Sequence, residues 1–279
     1  MNPDSDTTTF PTLYIPHGGG PCFFMDWTMG PADTWHKMEH WLRELADSIG
    51  ARPRQIVVCS AHWEGDNIQI NSSSKPALIY DYHGFPPHTY QLEYPAPGSP
   101  QLAEEIQNLL NSDGIEAGFD TEHGLDHGVF IPFKLIYPEA DIPIVQISLR
   151  RDLDPAHHIA VGRALSPLRQ QGTLIVGSGM SYHNMQGLMT PGNDKPDALQ
   201  FDHWLRGACA NTAGEREQQL CDWQSAPAAR EAHPREEHLL PLLVAAGAAG
   251  DDAGVAIYQD QVLGAQVSAI QFGQSLAGC

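Results

Sequence analysis

The chain has 279 residues and a formal net charge of -19 at pH 7, with 15 Lys plus Arg against 34 Asp plus Glu. Nucleic acids and anionic membrane surfaces both attract clusters of Lys and Arg, so this composition argues against either partner. No apolar run approaches the roughly 20 residues that span a bilayer, and the polar, acidic N-terminus lacks the features of a signal peptide. We therefore expect a cytoplasmic protein.

Cysteine and histidine usage narrows the class further. The five cysteines, at positions 22, 59, 209, 221 and 279, are odd in number and form no C-x-x-C pair. This pattern does not favour a disulfide framework or a structural zinc site, and we expect free thiols in a reducing compartment. The 14 histidines are nearly as numerous as Lys and Arg together.

Apolar runs and helical spacing predict the main elements along the chain. Short, β-branched runs predict buried strands over 12–15, 55–60, 142–149, 173–179, 255–258 and 267–273. Apolar residues at helical spacing and start signals predict helices over 34–49, 99–110, 155–170, 197–210 and 234–246. The alternation favours one α/β domain over residues 1–279, with a mostly parallel central sheet flanked by helices. Residues 1–11 are expected to form a loose N-terminal tail.

The segment 75–100, KPALIYDYHGFPPHTYQLEYPAPGSP, has no clean periodicity. A loop of this length inside a domain is usually functional or disordered, and four tyrosines with few charges argue against disorder. We interpret it as an ordered loop that covers something. Its tyrosines, Tyr80, Tyr82, Tyr90 and Tyr94, are expected mainly to pack, although any one of them could contact an aromatic ligand.

Three histidines follow predicted strands. His17 follows TLYIP, His62 follows IVVCSA, and His183 follows TLIVGSGMSY. Ligands of open α/β sheets bind beyond the carboxyl ends of the strands, and parallel strands share that edge. A single histidine at a strand end is usually a hydrogen-bonded turn residue, but three such histidines are expected to lie close together.

Two further histidines stand at the ends of predicted elements. His127 lies in the glycine-rich EHGLDHGVF, directly after Asp126, and His238 lies near the start of the last predicted helix. Five histidines placed in this way favour a metal site, with the active site at the carboxyl ends of the strands. Their long spacings mean that the fold, and not a local motif, would assemble it.

Other motifs are weaker. HGGGP is similar to the glycine-rich oxyanion loop of lipases, but no G-x-S-x-G nucleophile motif accompanies it. The three glycines also lack the Lys-Ser/Thr of a phosphate-binding loop. Cys22 and Cys59 lie close in sequence to His17 and His62, and we expect them to be buried small hydrophobes and not ligands.

An ordered set of segments resembles a known family. PHGGGP, SAHWEGD, HGFP with YPAPGSP, HGLDHGVF, YHN and EEHLLPLL occur in this order between residues 16 and 243. Together they resemble the class III extradiol ring-cleavage dioxygenases of the LigB-like superfamily, and more closely the DOPA-dioxygenase-type branch. The resemblance implies a non-haem iron(II) enzyme that uses O2 to open the ring of a catechol, DOPA-like or a related aromatic diol. The product would be a muconic semialdehyde.

The resemblance also implies residue roles. His17, His62 and His238 match the metal-ligand positions, and His183 matches a histidine proposed as the catalytic acid/base. His127 matches a second active-site histidine near substrate and dioxygen, for which we expect Asp126 to set the orientation. Fe(II) is expected for activity, although three imidazoles also suit Zn(II), which the purified protein could carry. The sequence leaves a homo-oligomer open.

Two histidines depart from the family pattern, and the sequence leaves two other functions open. His83 and His123 stand where close relatives are expected to have other residue types, which bears on the substrate. A zinc-dependent hydrolase could use the same histidines to activate water, with Glu64 or Asp66 as the base. A non-catalytic binding protein on the same fold is the third alternative.

Overall fold

The computed structural model describes residues 9–190 and 195–276. The strands are β1 (Thr12–Pro16), β2 (Gln55–Gly65), β3 (Ile68–Asn71), β4 (Ala117–Asp120), β5 (Ile144–Arg150), β6 (Thr173–Gly179), β7 (Gly254–Val262) and β8 (Ala265–Phe272). The helices are α1 (His36–Ile49), α2 (Pro100–Ser112), α3 (His127–Ile136), α4 (Pro155–Leu165), α5 (Met185–Met189), α6 (Pro196–Ala210), α7 (Ala213–Cys221), α8 (Ala229–Ala232) and α9 (Leu240–Ala248).

One mixed sheet organises these elements. Its strand order is β4-β3-β5-β2-β6-β1-β8-β7. The central strands β5, β2, β6 and β1 pair in parallel, whereas β8 pairs antiparallel with both β1 and β7. The predicted α/β fold with a mostly parallel sheet is confirmed. No helix within the described residues is long and apolar enough to cross a membrane.

The centre of the sheet is covered by helices. Every residue of β1 and β6 is buried, which explains their continuous apolar runs. Helix α9 packs against both strands, and all of its residues are buried. A helix that is apolar on every side belongs in a core, so α9 has no polar face to place in water.

Two glycines of β6 let the start of the last helix approach the sheet closely. A Cβ atom at Gly177 would lie 2.1 Å from the Pro241 carbonyl oxygen, and one at Gly179 would lie 2.2 Å from the His238 carbonyl oxygen. Larger residues would therefore push the segment around His238 off the sheet. The tight packing fixes the distance between the backbone of His238 and strand β6.

The sequence-based boundaries differ from the structure in identifiable places. Residues 234–239 form turns, and α9 begins only at Leu240, because Pro241 fits the first turn of a helix but not its interior. Strands β3 and β4 have only four residues each and were not predicted. Phe10 and Pro11 are buried, and the Phe10 N–H donates to the Arg169 carbonyl, so the expected loose tail does not extend to them. Residues 1–8 of that expectation lie outside the described residues.

Candidate functional site

Three neighbouring strands bring histidines to one edge of the sheet. His17 directly follows β1, His62 lies near the carboxyl end of β2, and His183 follows β6 in the next loop. Strand β6 lies between β2 and β1 and is parallel to both, so the three histidines share the carboxyl edge. The structure thus places them together as the sequence predicts.

The end of β2 is irregular around His62. The register between β2 and β5 shifts between Cys59 and Glu64, while the pairing between β2 and β6 stops at Ser60. A bulge of this kind re-aims a side chain at the end of a strand. His62 therefore belongs to a longer strand than the sequence predicts, at a point where that strand leaves its regular ladder.

The glycine segment after His17 adopts a conformation that favours glycine. Gly18 and Gly20 have φ values of +86° and +58°. A Cβ atom at Gly18 would also lie 2.6 Å from the Cys22 sulfur. Burial raises the pKa of the Cys22 and Cys59 thiols, which supports their interpretation as buried hydrophobes and not thiolate ligands. The glycines turn the chain tightly, and the Gly18 carbonyl accepts a 2.9 Å hydrogen bond from His17 Nδ1.

His17, His62 and His238 form a compact triangle. Their ring centroids are 4.8 to 5.2 Å apart, and each offers one nitrogen within 4.8 Å of the others. The Nε2 atoms of His17 and His62 lie 3.2 Å apart. His238 Nε2 is buried and has no hydrogen-bond partner. Three converging nitrogens, one of them buried and unpartnered, match the donor set of a transition metal such as iron or zinc.

The electrostatics of the triangle favour neutral rings. Burial, followed by the charges of neighbouring histidines, holds the pKa of His17, His62 and His238 well below the usual range. Neutral imidazole is the form that binds a metal ion.

His127 lies beside the triangle and is oriented by a residue that the sequence analysis missed. It begins α3, and its ring centroid is 3.9 Å from that of His62. Asp81 accepts hydrogen bonds from both the backbone N–H of His127, at 3.0 Å, and its Nδ1, at 2.8 Å. Although burial alone raises the pKa of Asp81, the hydrogen bond and charge of His127 lower it below its ordinary value. Asp81 is therefore a carboxylate acceptor that fixes the His127 ring.

The expectation that Asp126 orients His127 is wrong. The Asp126 carboxylate points to the sheet, where it accepts hydrogen bonds from Ser60 Oγ at 2.8 Å and from the Gln146 amide. The side chain is 1% exposed, and burial raises its pKa to about 6. Asp126 thus ties the start of α3 to β2 and β5, while the loop residue Asp81 contacts the histidine.

Glu237 performs the matching role on the opposite side. It accepts a hydrogen bond from His238 Nδ1 at 2.9 Å, and the same oxygen lies 3.2 Å from His183 Nδ1. The rings of His183 and His238 stack with centroids 3.3 Å apart. Burial raises the pKa of Glu237, but His183, the backbone of Glu237 and the charge of Arg235 together outweigh that effect and lower it below its ordinary value. Its position next to His238 in the sequence was the one available signal for this residue.

Three overlapping groups of the described residues could hold a metal ion. They are His17 with His62 and His238, His62 with Asp81 and His127, and His183 with Glu237 and His238. The carboxylates of the second and third groups already accept histidine N–H groups. The all-histidine group is the one whose nitrogens face each other without such a partner.

Glu64 and Asp66, the candidate bases for a hydrolase, are engaged elsewhere. Both Glu64 oxygens accept hydrogen bonds from Arg235, at 2.6 and 2.8 Å. Asp66 is strongly exposed and pairs with Arg151. Neither residue lines the cavity at the histidines.

The five histidines open into a cavity of about 350 Å³. Its other walls come from the glycine turn, two tryptophans, the 75–100 loop and the segment around α5. The lining residues are His17, Gly18, Gly19, Gly20, Trp27, Met29, Trp35, His62, Tyr82, His83, Phe85, His127, Met180, His183, Met185, Leu188, Met189, His238 and Leu263. This volume lies in the range of small-molecule sites.

The loop over residues 75–100 is ordered and covers this cavity with Tyr82, His83 and Phe85. The hydroxyl of Tyr82 donates to the Thr89 carbonyl at 2.6 Å. The other three loop tyrosines do not line the cavity, and their hydroxyls also bond to the backbone. They pack within the loop and against α3 and the residue that follows it, as the sequence analysis expects for most of them. His123 does not line the cavity and stacks on Trp63.

Comparisons with known proteins agree with this arrangement. Residues 11–273 match the family described as the catalytic LigB subunit of aromatic ring-opening dioxygenase. A 4,5-DOPA dioxygenase extradiol of Beta vulgaris is 43% identical over 245 residues, which are 87% of this chain and 88% of the relative. Dioxygenase tasH of Hapsidospora irregularis is 36% identical over 279 residues, covering 95% of this chain and 86% of the relative.

A solved structure shares the fold. The crystal structure of an uncharacterized protein from Escherichia coli K12 aligns with a TM-score of 0.75 and 28% identity. The alignment covers 95% of this chain and all of that chain.

Proposed function

Because the chain belongs to the LigB family of aromatic ring-opening dioxygenases, we propose that it is a non-haem iron(II) extradiol dioxygenase acting on a catechol. It would use O2 to open the ring beside the diol and release a muconic semialdehyde. The observation that carries the proposal is the triangle of three imidazoles, one with a buried unpartnered nitrogen, at the bottom of a cavity.

We assign His17, His62 and His238 as the metal ligands. The Nδ1 atoms of His17 and His238 donate to the Gly18 carbonyl and to Glu237, which leaves the Nε2 atoms as acceptors for a cation. Histidine ligands are commonly fixed in this way through the second ring nitrogen. Iron(II) bound there would relay electrons from the catechol to O2 and would offer open coordination positions to both.

His183 is proposed as the acid/base. Its Nδ1 lies 3.2 Å from Glu237, and the residue lines the cavity, so Nε2 is the atom that faces a ligand in this proposal. A catechol must lose hydroxyl protons to bind through both oxygens. His183 would accept a proton from the hydroxyl and return it later to the opened product, and the Glu237 carboxylate would stabilise the charged ring meanwhile.

His127 is proposed to hydrogen-bond the oxygen atoms at the reacting centre. Asp81 holds its Nδ1, and Tyr82 packs against the ring edge with centroids 5.9 Å apart. The ring is therefore fixed on two sides before any substrate arrives. Such preorganisation is valuable because the group needs no reorientation during the reaction.

The two rival functions receive less support. A zinc hydrolase would need a free carboxylate base, and both Glu64 and Asp66 are paired with arginines away from the cavity. A binding protein would have no need for His127 and His183 beside three ligands.

The test is dioxygen uptake by anaerobically iron(II)-loaded protein with a panel of catechols, followed at the absorbance of the yellow semialdehyde. We expect uptake with a yellow product, and no turnover after chelation and reloading with zinc. Iron-loaded protein that consumes no dioxygen with any catechol would contradict the proposal. Full activity of the zinc-loaded protein would contradict the redox mechanism.

A further inference from the structure

The outer half of the cavity is apolar and partly exposed. Beyond the histidines its walls include Met29, Met185, Leu188, Met189 and Leu263, which we call the methionine rim. The side chains of Met29, Met185 and Met189 are 46%, 49% and 50% exposed, and are among the exposed large hydrophobic residues of the described chain. Methionine is flexible and adapts to apolar partners of varied shape, so a rim of this composition suits an apolar group entering from solvent.

The cavity offers no charged partner other than the histidines. All 15 Lys and Arg residues of the chain fall within the described ranges, and none lines the cavity. Among the residues that the structure describes, none that lines the cavity carries a carboxylate either. An enzyme that recognises a carboxylate on its substrate usually presents a cation, and one that recognises an ammonium group usually presents an anion. Neither device is present in this lining.

A catechol with a charged substituent would therefore bind more weakly than one with an uncharged substituent. Moving an ionised group from water into an apolar site without a partner is costly, by several kcal/mol or more. The net charge of -19 adds a repulsive field for a second negative charge. An uncharged substituent meets neither penalty and gains from the burial of its surface.

The only other polar groups in the lining that lack a partner are neutral. Trp27 and Trp35 line the cavity, and the indole N–H of each is buried without a hydrogen-bond acceptor among the described residues. An indole N–H can donate to an uncharged ether or ketone oxygen, but it carries no formal charge to balance a carboxylate.

The rim also borders a second groove. Four of its five residues, all except Met185, line an outer groove that continues towards Lys37 and Asp260. These last two side chains pair with each other at 2.9 Å, so Lys37 is not available to a substrate without losing Asp260. Beyond the catechol ring there is thus room for a long group, bounded first by the methionine rim and further out by polar side chains that include Asp33.

We infer that the substrate is a catechol with an uncharged, apolar ring substituent that lies across the methionine rim. The inference rests on the proposed function and specifies its substrate class. Among uncharged catechols, chain length would then set affinity, because each added methylene buries more surface against the rim.

The test compares matched catechols with one site variant. The panel contains 4-methylcatechol, 4-butylcatechol, 3-(3,4-dihydroxyphenyl)propionate, dopamine and DOPA. We would measure kcat/KM with iron-loaded protein and Kd by calorimetry with zinc-loaded protein. Each added methylene is expected to lower Kd about threefold to fourfold. For the butyl compound, kcat/KM should be at least tenfold higher and Kd at least tenfold lower than for each charged compound.

The variant Met185→Arg places a cation on the rim, and Leu199→Arg on α6 is its control. Both positions are about half exposed, and Leu199 does not line the cavity. Met185→Arg should shift the butyl-to-propionate ratio at least tenfold towards the propionate, and the control should leave that ratio unchanged.

The outcomes separate the two proposals. Wild-type preference for a charged catechol, or equal Kd values across the panel, would overturn the inference on substrate class and leave ring cleavage standing. Absence of dioxygen uptake with every iron-loaded sample, while longer alkyl chains still bind more tightly, would overturn the proposed function alone.

Discussion

A single buried histidine, His158, and the histidine triangle lie at the same edge of the sheet, and their surroundings differ. His158 follows β5, the strand beside β2, and both of its ring nitrogens bond to nearby main chain. Nδ1 donates to the Asp154 carbonyl at 2.7 Å, and Nε2 accepts from the Arg150 N–H at 3.1 Å. In the His17, His62 and His238 triangle, the Nε2 atoms face one another and that of His238 has no partner.

The contrast shows what separates a structural histidine from a candidate ligand. Burial is the same, since His158 and His238 are 0% and 3% exposed. The difference lies in Nε2. In His158 this atom accepts a backbone hydrogen bond, whereas in His238 only Nδ1 is bonded and Nε2 has no partner. His233 Nδ1 is also buried without a partner, so such an atom indicates a ligand only where, as in the triangle, other ring nitrogens lie beside it.

The largest effect is expected from removing a proposed ligand. His17→Ala or His62→Ala should abolish both metal retention and dioxygen uptake, because each imidazole is one of only three. Metal content measured by elemental analysis after iron loading provides the readout. His40→Ala, at an exposed position on α1, is the control and should bind metal normally. Full metal occupancy in both site variants would remove the basis of the ligand assignment.

The next effect concerns His183, which shares Glu237 with His238. His183→Gln should keep the metal and reduce turnover by about 100- to 10,000-fold, the range for loss of a general acid/base. Paired measurements of metal content and kcat on one preparation distinguish the roles. Loss of metal in this variant would make His183 a ligand and contradict its assignment as the acid/base.

A smaller effect separates the two aspartates near His127. Asp81→Asn should lower kcat about 10- to 100-fold, because a partner that orients an active-site histidine is typically worth that much. Asp126→Asn should affect the melting temperature more than kcat, since its contacts are Ser60 and Gln146 of the sheet. The reverse pattern would restore Asp126 as the residue that orients His127.

The smallest effect on activity is expected at His158, whose role is in stability. Burial lowers its pKa to about 4 in the folded chain, whereas its pKa in the unfolded chain is about 6.5. Between these two values the unfolded chain is protonated at this residue and the folded chain is not. The folded state therefore loses up to about 3 kcal/mol of its free energy of unfolding as pH falls from about 7 to 4.

The measurement is urea unfolding of the wild type and of His158→Gln at several pH values. The variant should be less stable at pH 7 by about 1–3 kcal/mol, since it cannot make both backbone hydrogen bonds. Its stability should fall less steeply with acid, and its metal content should stay normal. The neighbours Arg150, Asp152, Asp154 and His157 remain in place, so an unchanged acid slope would mean that they, and not His158, determine it.

The sequence predicted those features that depend on local pattern. Continuous apolar runs identified β1 and β6 because central parallel strands are buried on both faces. The same logic located His17 and His183 at one edge. The short strands β3 and β4 were not predicted, because four residues give too little pattern to distinguish a strand from a loop.

The partners of the histidines could not be predicted, because they depend on tertiary packing. Asp126 is adjacent to His127 in the sequence, but the first turn of α3 directs its carboxylate to Ser60. Asp81 lies far away in the sequence, and only the folding of the 75–100 loop over the cavity brings it to His127. Sequence adjacency pointed wrongly to Asp126, and it would have pointed correctly to Glu237, which the sequence analysis did not single out.

The three proposed ligands stand at positions 17, 62 and 238, so the triangle spans almost the entire chain. A ribosome must therefore have released the segment before α9 from its exit channel before all three imidazoles can meet. The metal could then be held only after residue 238 has been synthesised. An ion bound only by the folded chain would also raise the stability of the whole domain by mass action. The metal supply of the cell would then set the lifetime of the protein as well as its activity.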